Sequence, residues 1–243
     1  MKVKILAHTP NPEKVVAMAG KLCYSPSSVD ELEENLTDEE IQKFIDKFMG
    51  YGHESPLEHI SFVFAVEGVS RSLTHQLVRH RIASYSQKSQ RYVNEDNFEY
   101  VVPQIVRDMG TQAWLDYTSD MKQINEMYTR WQKRIKDFVE ETNYPTYGMS
   151  AEKVANENAR SVLPNACETK IIITMNVRSL YNFFNKRCCN RAQQEIRELA
   201  NEMLRQVREV APSLFKNVGA SCTYGKCKEG KMTCGSPIGG NNE

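Results

Sequence analysis

Arg79, Arg81, Lys88 and Arg91 stand among five hydroxyl side chains in the stretch RHRIASYSQKSQRY, residues 79–92, and no carboxylate interrupts them. The acid-free run extends further: from Gly68 to Asn94 there is no Asp or Glu, and Arg71 brings the cations to five. Thr169 to Gln194 repeats the pattern with Lys170, Arg178, Lys186, Arg187 and Arg191. A guanidinium presents a planar fork of donors that matches phosphate oxygens in pairs, so arginine-rich segments without acids suit a phosphorylated ligand. Ser84, Ser86 and Ser89 add hydroxyl donors. A solvated basic loop, paired with acids from elsewhere in the fold, accounts for the same composition. The chain carries 31 basic and 31 acidic residues, so its formal net charge is zero and any anion site must be local.

Other chemistry-bearing residues point less far. HESPLEH, residues 53–59, suggests a zinc-binding HExxH, but that motif needs a second histidine where Leu57 stands, and Pro56 breaks the helix that would align the pair. His59 accordingly reads as structural. Cys188 and Cys189 have no paired base in view and read as packing residues. Ser89 among arginines reads as a phosphate donor rather than a nucleophile activated by His80. The seven cysteines are odd in number and include an adjacent pair, which argues against a disulfide framework. Cys222, Cys227 and Cys234 lack the paired CxxC spacing of zinc sites; the three could hold zinc with a fourth ligand, or belong to a tail of labile thiols.

The elements that must position these residues follow from periodicity. KVKILAH alternates and reads as a strand, with a helix near residues 12–23 after it. Thr37 to Glu40 form a capping box opening a helix to about Met49, with Ile41, Phe44, Ile45 and Phe48 on one face. ISFVFAVEGV is a strand, and SRSLTHQLVRHR a helix that places Leu73, Leu77 and His80 on one face and Gln76 and Arg79 on the adjacent one, before the chain enters a loop. Trp114, Tyr117, Met121, Ile124, Tyr128, Trp131, Ile135 and Phe138 mark a long amphipathic helix from Gly110 to Glu141, a core or subunit-interface element. A shorter helix runs from the cap Ser150 towards Pro164. KIIITMNV reads as a strand buried on both faces, and RSLYNFFNKR and NRAQQEIRELANEMLRQVREVAP as helices. Beyond them the chain has no clear period.

Residue identity goes further than charge. Arg79-His80-Arg81, then seven residues, Ser89, and Arg91 two beyond, resembles the signature of the flavin-dependent thymidylate synthases, also called thymidylate synthase-complementing proteins. GHESPLEH at 52–59, NARSVLP, MNVRSLYNFFNKR and RAQQEIRELA resemble further blocks of that family in the expected order, over about residues 50–210. The resemblance implies methylation of dUMP to dTMP, with carbon from 5,10-methylenetetrahydrofolate and hydride from FAD reduced by NADPH. It implies FAD contacts at Ser55, Arg79, His80, Arg81, Gln87, Asn176, Val177, Arg178 and Asn182, with His53 beside the flavin ring or the folate. It implies dUMP contacts at Gln76, Leu77, Val78, Arg79, Gln87, Lys88, Ser89, Gln90, Arg91, Arg160 and Arg187. Arg187 is the candidate for chemistry: a fixed guanidinium on the N3/O4 side of uracil stabilises the negative charge that makes C5 nucleophilic. No enzymic covalent nucleophile is needed. Ser86 and Gln87 depart from the Asn and Glu that many such proteins carry.

These features imply an α+β chain: a single domain with a central, mostly antiparallel sheet flanked by long helices. The family resemblance adds assembly as a homotetramer with sites shared between subunits. Residues 1–215 would form the catalytic domain and 216–243 a Cys-, Gly- and Lys-rich tail. The N-terminal MKVKILAHTPNPEK has no apolar signal core and no window reaches a membrane span, so a cytoplasmic location, no membrane partner and no metal are expected. The rival reading is an RNA or single-strand binding module, with Tyr85 and Tyr92 as stacking platforms, and zero net charge weighs against it.

Overall fold

The computed structural model describes residues 1–238. Alternation builds the sheet. β1 (Lys2–His8), β2 (Ser61–Ser70), β3 (Ser84–Gln87) and β4 (Glu168–Asn176) form an antiparallel α+β sheet in the order β1-β2-β4-β3. β2 buries Phe62, Phe64 and Val66 at every second position, the period that a strand with one covered face requires. β4 departs from the expectation of a strand buried on both faces: Thr169, Ile171, Ile173 and Met175 are buried while Ile172 is 44% exposed. An antiparallel strand needs cover on one face only, so its apolar run does not imply two.

The chain traces two compact units, one of residues 1–66, 77–85 and 172–243 and one of residues 67–76 and 86–171, with β2 and β4 each passing from one to the other. In the first, α1 (Pro12–Leu22), α2 (Val29–Asn35) and α3 (Asp38–Gly50) precede β2. α2 escaped the sequence reading, although Ser28 and Glu31 form a capping box like that of Thr37 and Glu40. α8 (Val177–Arg187), α9 (Gln194–Val210) and α10 (Pro212–Phe215) follow β4. α9 buries Ile196, Leu199, Ala200, Met203, Leu204 and Val207, the three- and four-residue spacing of one helical face. Its Gln206 side chain accepts from Ile5 N at 3.1 Å and donates to Val3 O at 2.9 Å, satisfying the free edge of β1.

The second unit contains α4 (Arg71–Leu77) up to Gln76, α5 (Gln104–Asp108), α6 (Thr111–Thr142) and α7 (Ala151–Ala159). Ser150 caps α7 by accepting from Lys153 N at 3.2 Å, as its position predicts. Phe98, Met121 and Cys167 form a buried cluster here, with Tyr100 and Tyr117 against it. Of the long α6, Met121, Tyr128 and Val139 are buried. Among the described residues no helix is long and apolar enough to cross a membrane.

Phe215 is the hub of an aromatic cluster in the first unit. Its ring meets Phe62 at 5.9 Å, Tyr181 at 5.6 Å and Phe184 at 6.1 Å, each edge to face. It is fully buried. Phe215→Ala is therefore expected to cost about 3–5 kcal/mol in denaturant unfolding at fixed protein concentration, with Phe215→Leu costing much less.

Candidate active site

In the first unit, the site begins where α4 stops. The sequence period carries that helix on through Arg81, but it ends at Leu77. The Tyr85 hydroxyl lies 2.9 Å from Leu77 O and 2.8 Å from His80 O and donates its proton into that pair, capping the terminal carbonyl and folding residues 78–84 back on themselves. His80 is thus not on the helical face with Leu73 and Leu77. Burial pushes the Tyr85 phenol up to about 12, so it stays a donor at neutral pH. The Tyr85 hydroxyl is thus engaged inside the turn.

The fold-back brings His80 to α8. Arg187 Nε donates to His80 Nε2 at 3.1 Å, and the imidazole meets the ring of Phe183 edge-on at 5.0 Å. Burial first, then Arg187 and Lys186, push His80 down to about 4. Burial also lowers Arg187. The opposite end of α8 is capped by Asn176, whose side chain accepts from Ser179 N at 2.8 Å.

Arg79, His80, Arg81, Asn176, Arg178 and Asn182 all line one cavity of about 1180 Å³. These are six of the residues to which family resemblance gives a flavin role. Glu54 and Glu58 form part of its wall and both pair with Arg178, Glu54 at 3.2 Å. Charge along the chain does not reveal them, because Glu54 and Glu58 lie 124 and 120 residues from Arg178 in sequence. Asn185 also lines the cavity; it stands three residues after Asn182, so helical spacing could have found it. Among the described residues Arg79 and Arg81 form no ion pair.

Four residues of the same set, Ser55, His53, Val177 and Gln87, are not on the cavity wall. Ser55 opens the 3-10 turn Ser55–His59, and the exposed His53 meets Phe48 at 5.5 Å and Tyr51 edge-on at 6.3 Å. The Val177 side chain is buried and its N–H donates to Ile60 O at 2.9 Å. That 3-10 turn also confirms that HESPLEH is not the α-helix a zinc HExxH needs.

The second unit holds most of the expected nucleotide contacts, and here acids do meet the arginines. Lys88 Nζ pairs with Glu95 at 2.9 Å, and Glu95 is only 4% exposed. Arg91 pairs with Glu157 of α7 at 3.0 Å, and Arg160 Nε donates to Glu157 O at 3.3 Å. Gln87 Nε2 donates to Thr74 at 3.0 Å and Thr169 at 3.3 Å. Ser89 accepts from Arg91 N at 3.2 Å, and Gln90 is buried. Arg71 Nη2 donates to Lys88 O at 2.8 Å, bracing the segment from beneath. The acid-free run in sequence is thus partly neutralised in space, although Lys88 and Arg91 keep further donors. Gln76 lies on α4 in this unit, and Leu77, Val78 and Arg79 in the first.

Burial pushes the thiols of Cys167 and Cys188 up to about 12, so neither is a thiolate at neutral pH. Among the described residues no three of His, Cys, Asp and Glu form a group able to hold a metal ion. Cys222 Sγ accepts from Ile238 N, and Cys234 Sγ donates to Ser236 O, both at 3.4 Å.

His80 is neutral in the folded protein down to about 4 and titrates at 6.5 when unfolded, so the unfolded chain binds more protons between these values. Its contribution to stability is present above pH 6.5 and lost as pH falls towards 4. Unfolding midpoints measured across that window should fall more steeply with acid for wild type than for His80→Gln; parallel curves would contradict the assignment.

The sequence model of the family described as "Thymidylate synthase complementing protein" matches residues 4–213. A flavin-dependent thymidylate synthase of Clostridium tetani is 56% identical over 239 residues, 97% of this chain and 93% of that protein. One of Geobacter sulfurreducens is 48% identical over 97% of this chain and 94% of its own length, and one of Nitratidesulfovibrio vulgaris 45% identical over 96% and 94%. This chain therefore belongs to the thymidylate synthase complementing protein family.

Proposed function

We propose that the chain is a flavin-dependent thymidylate synthase, a methyltransferase that converts dUMP to dTMP with 5,10-methylenetetrahydrofolate as carbon donor, FAD as the redox cofactor and NADPH as its reductant. The observation that carries the reading is the cavity of about 1180 Å³ in which Arg79 and Arg81, without ion pairs among the described residues, stand beside the amide side chains of α8. Its volume is at the upper end of small-molecule sites, as a dinucleotide requires. Cationic and amide donors are what the diphosphate of FAD needs, so the residues present fit the group. Arg79, His80, Arg81, Asn176, Arg178 and Asn182 would hold it, with Ser55, Val177, Gln87 and His53 as outer contacts. When bound, the flavin supplies the reducing equivalents that turn a transferred methylene into a methyl group.

The chain's own residues do the rest. Arg187 faces the uracil ring of dUMP and stabilises negative charge developing on its N3/O4 side, which makes C5 nucleophilic; a guanidinium does not act as the base because its pKa exceeds about 12. Gln76, Leu77, Val78, Arg79, Gln87, Lys88, Ser89, Gln90, Arg91 and Arg160 would bind the rest of the nucleotide. The high thiol pKa values of Cys167 and Cys188 agree with a route that uses no cysteine nucleophile. Zero formal net charge weighs against the nucleic-acid-binding alternative, because such modules usually display a basic face.

A homotetramer with shared sites belongs to the same proposal. Met127, Trp131 and Phe138 of α6, spaced on one stripe, are 41%, 42% and 52% exposed, an apolar surface that a second copy would cover. Residues 1–215 would be the catalytic part and 216–243 a tail; α10 ends at Phe215, and Asn217 and Lys228 beyond it also line the cavity. The cytoplasm is the compartment we assign.

Purified protein should be yellow, with flavin absorption near ~450 nm. Arg187→Ala should keep that colour and lose about 2–4 kcal/mol of transition-state stabilisation, read as a fall in dTMP formation. Colourless protein that cannot take up FAD, or a variant as active as wild type, would overturn the reading.

A further inference from the structure

We infer that His80 is the positioning residue for Arg187: as a neutral, immobilised acceptor at Nε2 it aims the guanidinium without cancelling its charge. The inference rests on the catalytic role proposed for Arg187. Arg187 Nε has no lone pair to offer, so its 3.1 Å bond to His80 Nε2 requires an unprotonated Nε2 and places the imidazole proton on Nδ1. That bond uses the guanidinium's inner nitrogen and leaves its terminal amino groups for a ligand.

His80 is held at both ends. Its carbonyl lies 2.8 Å from the Tyr85 hydroxyl and its ring is packed edge-on against the fully buried Phe183. An acceptor fixed in this way fixes whatever donates to it, and geometric precision of this kind separates an active guanidinium from a mobile one.

The choice of acceptor matters as much as its position. Within the same unit Arg178 is also held, but by Glu54 and Glu58, which neutralise it. Arg187 has no carboxylate within ion-pair distance among the described residues. A neutral imidazole orients the cation and leaves its full charge for the ring of the substrate, where a carboxylate would have screened it.

Three substitutions of His80 separate these effects in the flavin-loaded enzyme. His80→Gln keeps a neutral acceptor, His80→Phe keeps the ring and its packing without one, and His80→Glu keeps an acceptor but adds a negative charge. Flavin absorption is measured first for each, so that lost cofactor is not mistaken for lost positioning. We expect kcat to fall about ten-fold or more in the Phe and Glu variants, with KM for dUMP changed less, and to return to within about three-fold of wild type in the Gln variant. Wild-type activity in the Phe or Glu variant, or a Gln variant as impaired as Phe, would overturn the inference. The 15N spectrum of histidine-labelled, flavin-loaded wild type decides independently of any variant's fold: the His80 signals should report an Nδ1–H imidazole at neutral pH, and an Nε2–H tautomer or imidazolium would overturn it. If wild type itself makes no dTMP, the proposed activity fails while that spectrum still tests the pairing.

Discussion

A half-buried guanidinium needs an acceptor, and the identity of that acceptor decides what the guanidinium can do. Arg187 closes α8 at the end where the helix dipole favours a cation, and burial would be costly there without a hydrogen bond. The fold supplies a histidine from a different part of the chain, 107 residues away in sequence. Much of the first unit can be read as what is required to deliver that one ring: α4 must stop at Leu77, Tyr85 must turn back to cap it, and Phe183 must stand one turn before Arg187 to receive the imidazole edge.

The aromatic cluster behind the site ties this arrangement to stability. Phe183 packs on Phe184, Phe184 on Phe215, and Phe215 on Phe62 in β2, so the wall behind His80 is continuous with the buried face of the sheet. Close packing of this sort passes displacement on rather than absorbing it. On the solvent side the same helix α8 turns Arg178, Asn182 and Asn185 towards the cavity, so one element carries both the buried pairing and the ligand-facing polar row.

Much of this was legible in the sequence. Alternation located β1 and β2, three- and four-residue spacing located α6, α8 and α9, and the order of RHR, NARSVLP and MNVRSLYNFFNKR identified the family. What escaped was long-range pairing. Glu95 and Glu157 lie just outside or far from the acid-free run, yet in space they neutralise Lys88 and Arg91. Glu54 and Glu58 do the same for Arg178. The apolar period through Leu77 continues to His80 and implies a longer helix; the chain instead turns where the Tyr85 hydroxyl, eight residues on, bonds Leu77 O, and helix propensity does not encode that side-chain bond. β3 was read as loop because SYSQ has no apolar alternation to mark it.

In the proposed function, a methylene from 5,10-methylenetetrahydrofolate and reducing equivalents from a bound flavin would together convert dUMP into dTMP. Its most direct test is a single turnover: protein whose bound flavin has been reduced, freed of NADPH, is mixed anaerobically with dUMP and 5,10-methylenetetrahydrofolate, and the dTMP formed is quantified by mass spectrometry. The expected result is dTMP in an amount that tracks the bound flavin and none from flavin-free protein. Equal dTMP from flavin-free protein, or none from the reduced holoprotein, would contradict it.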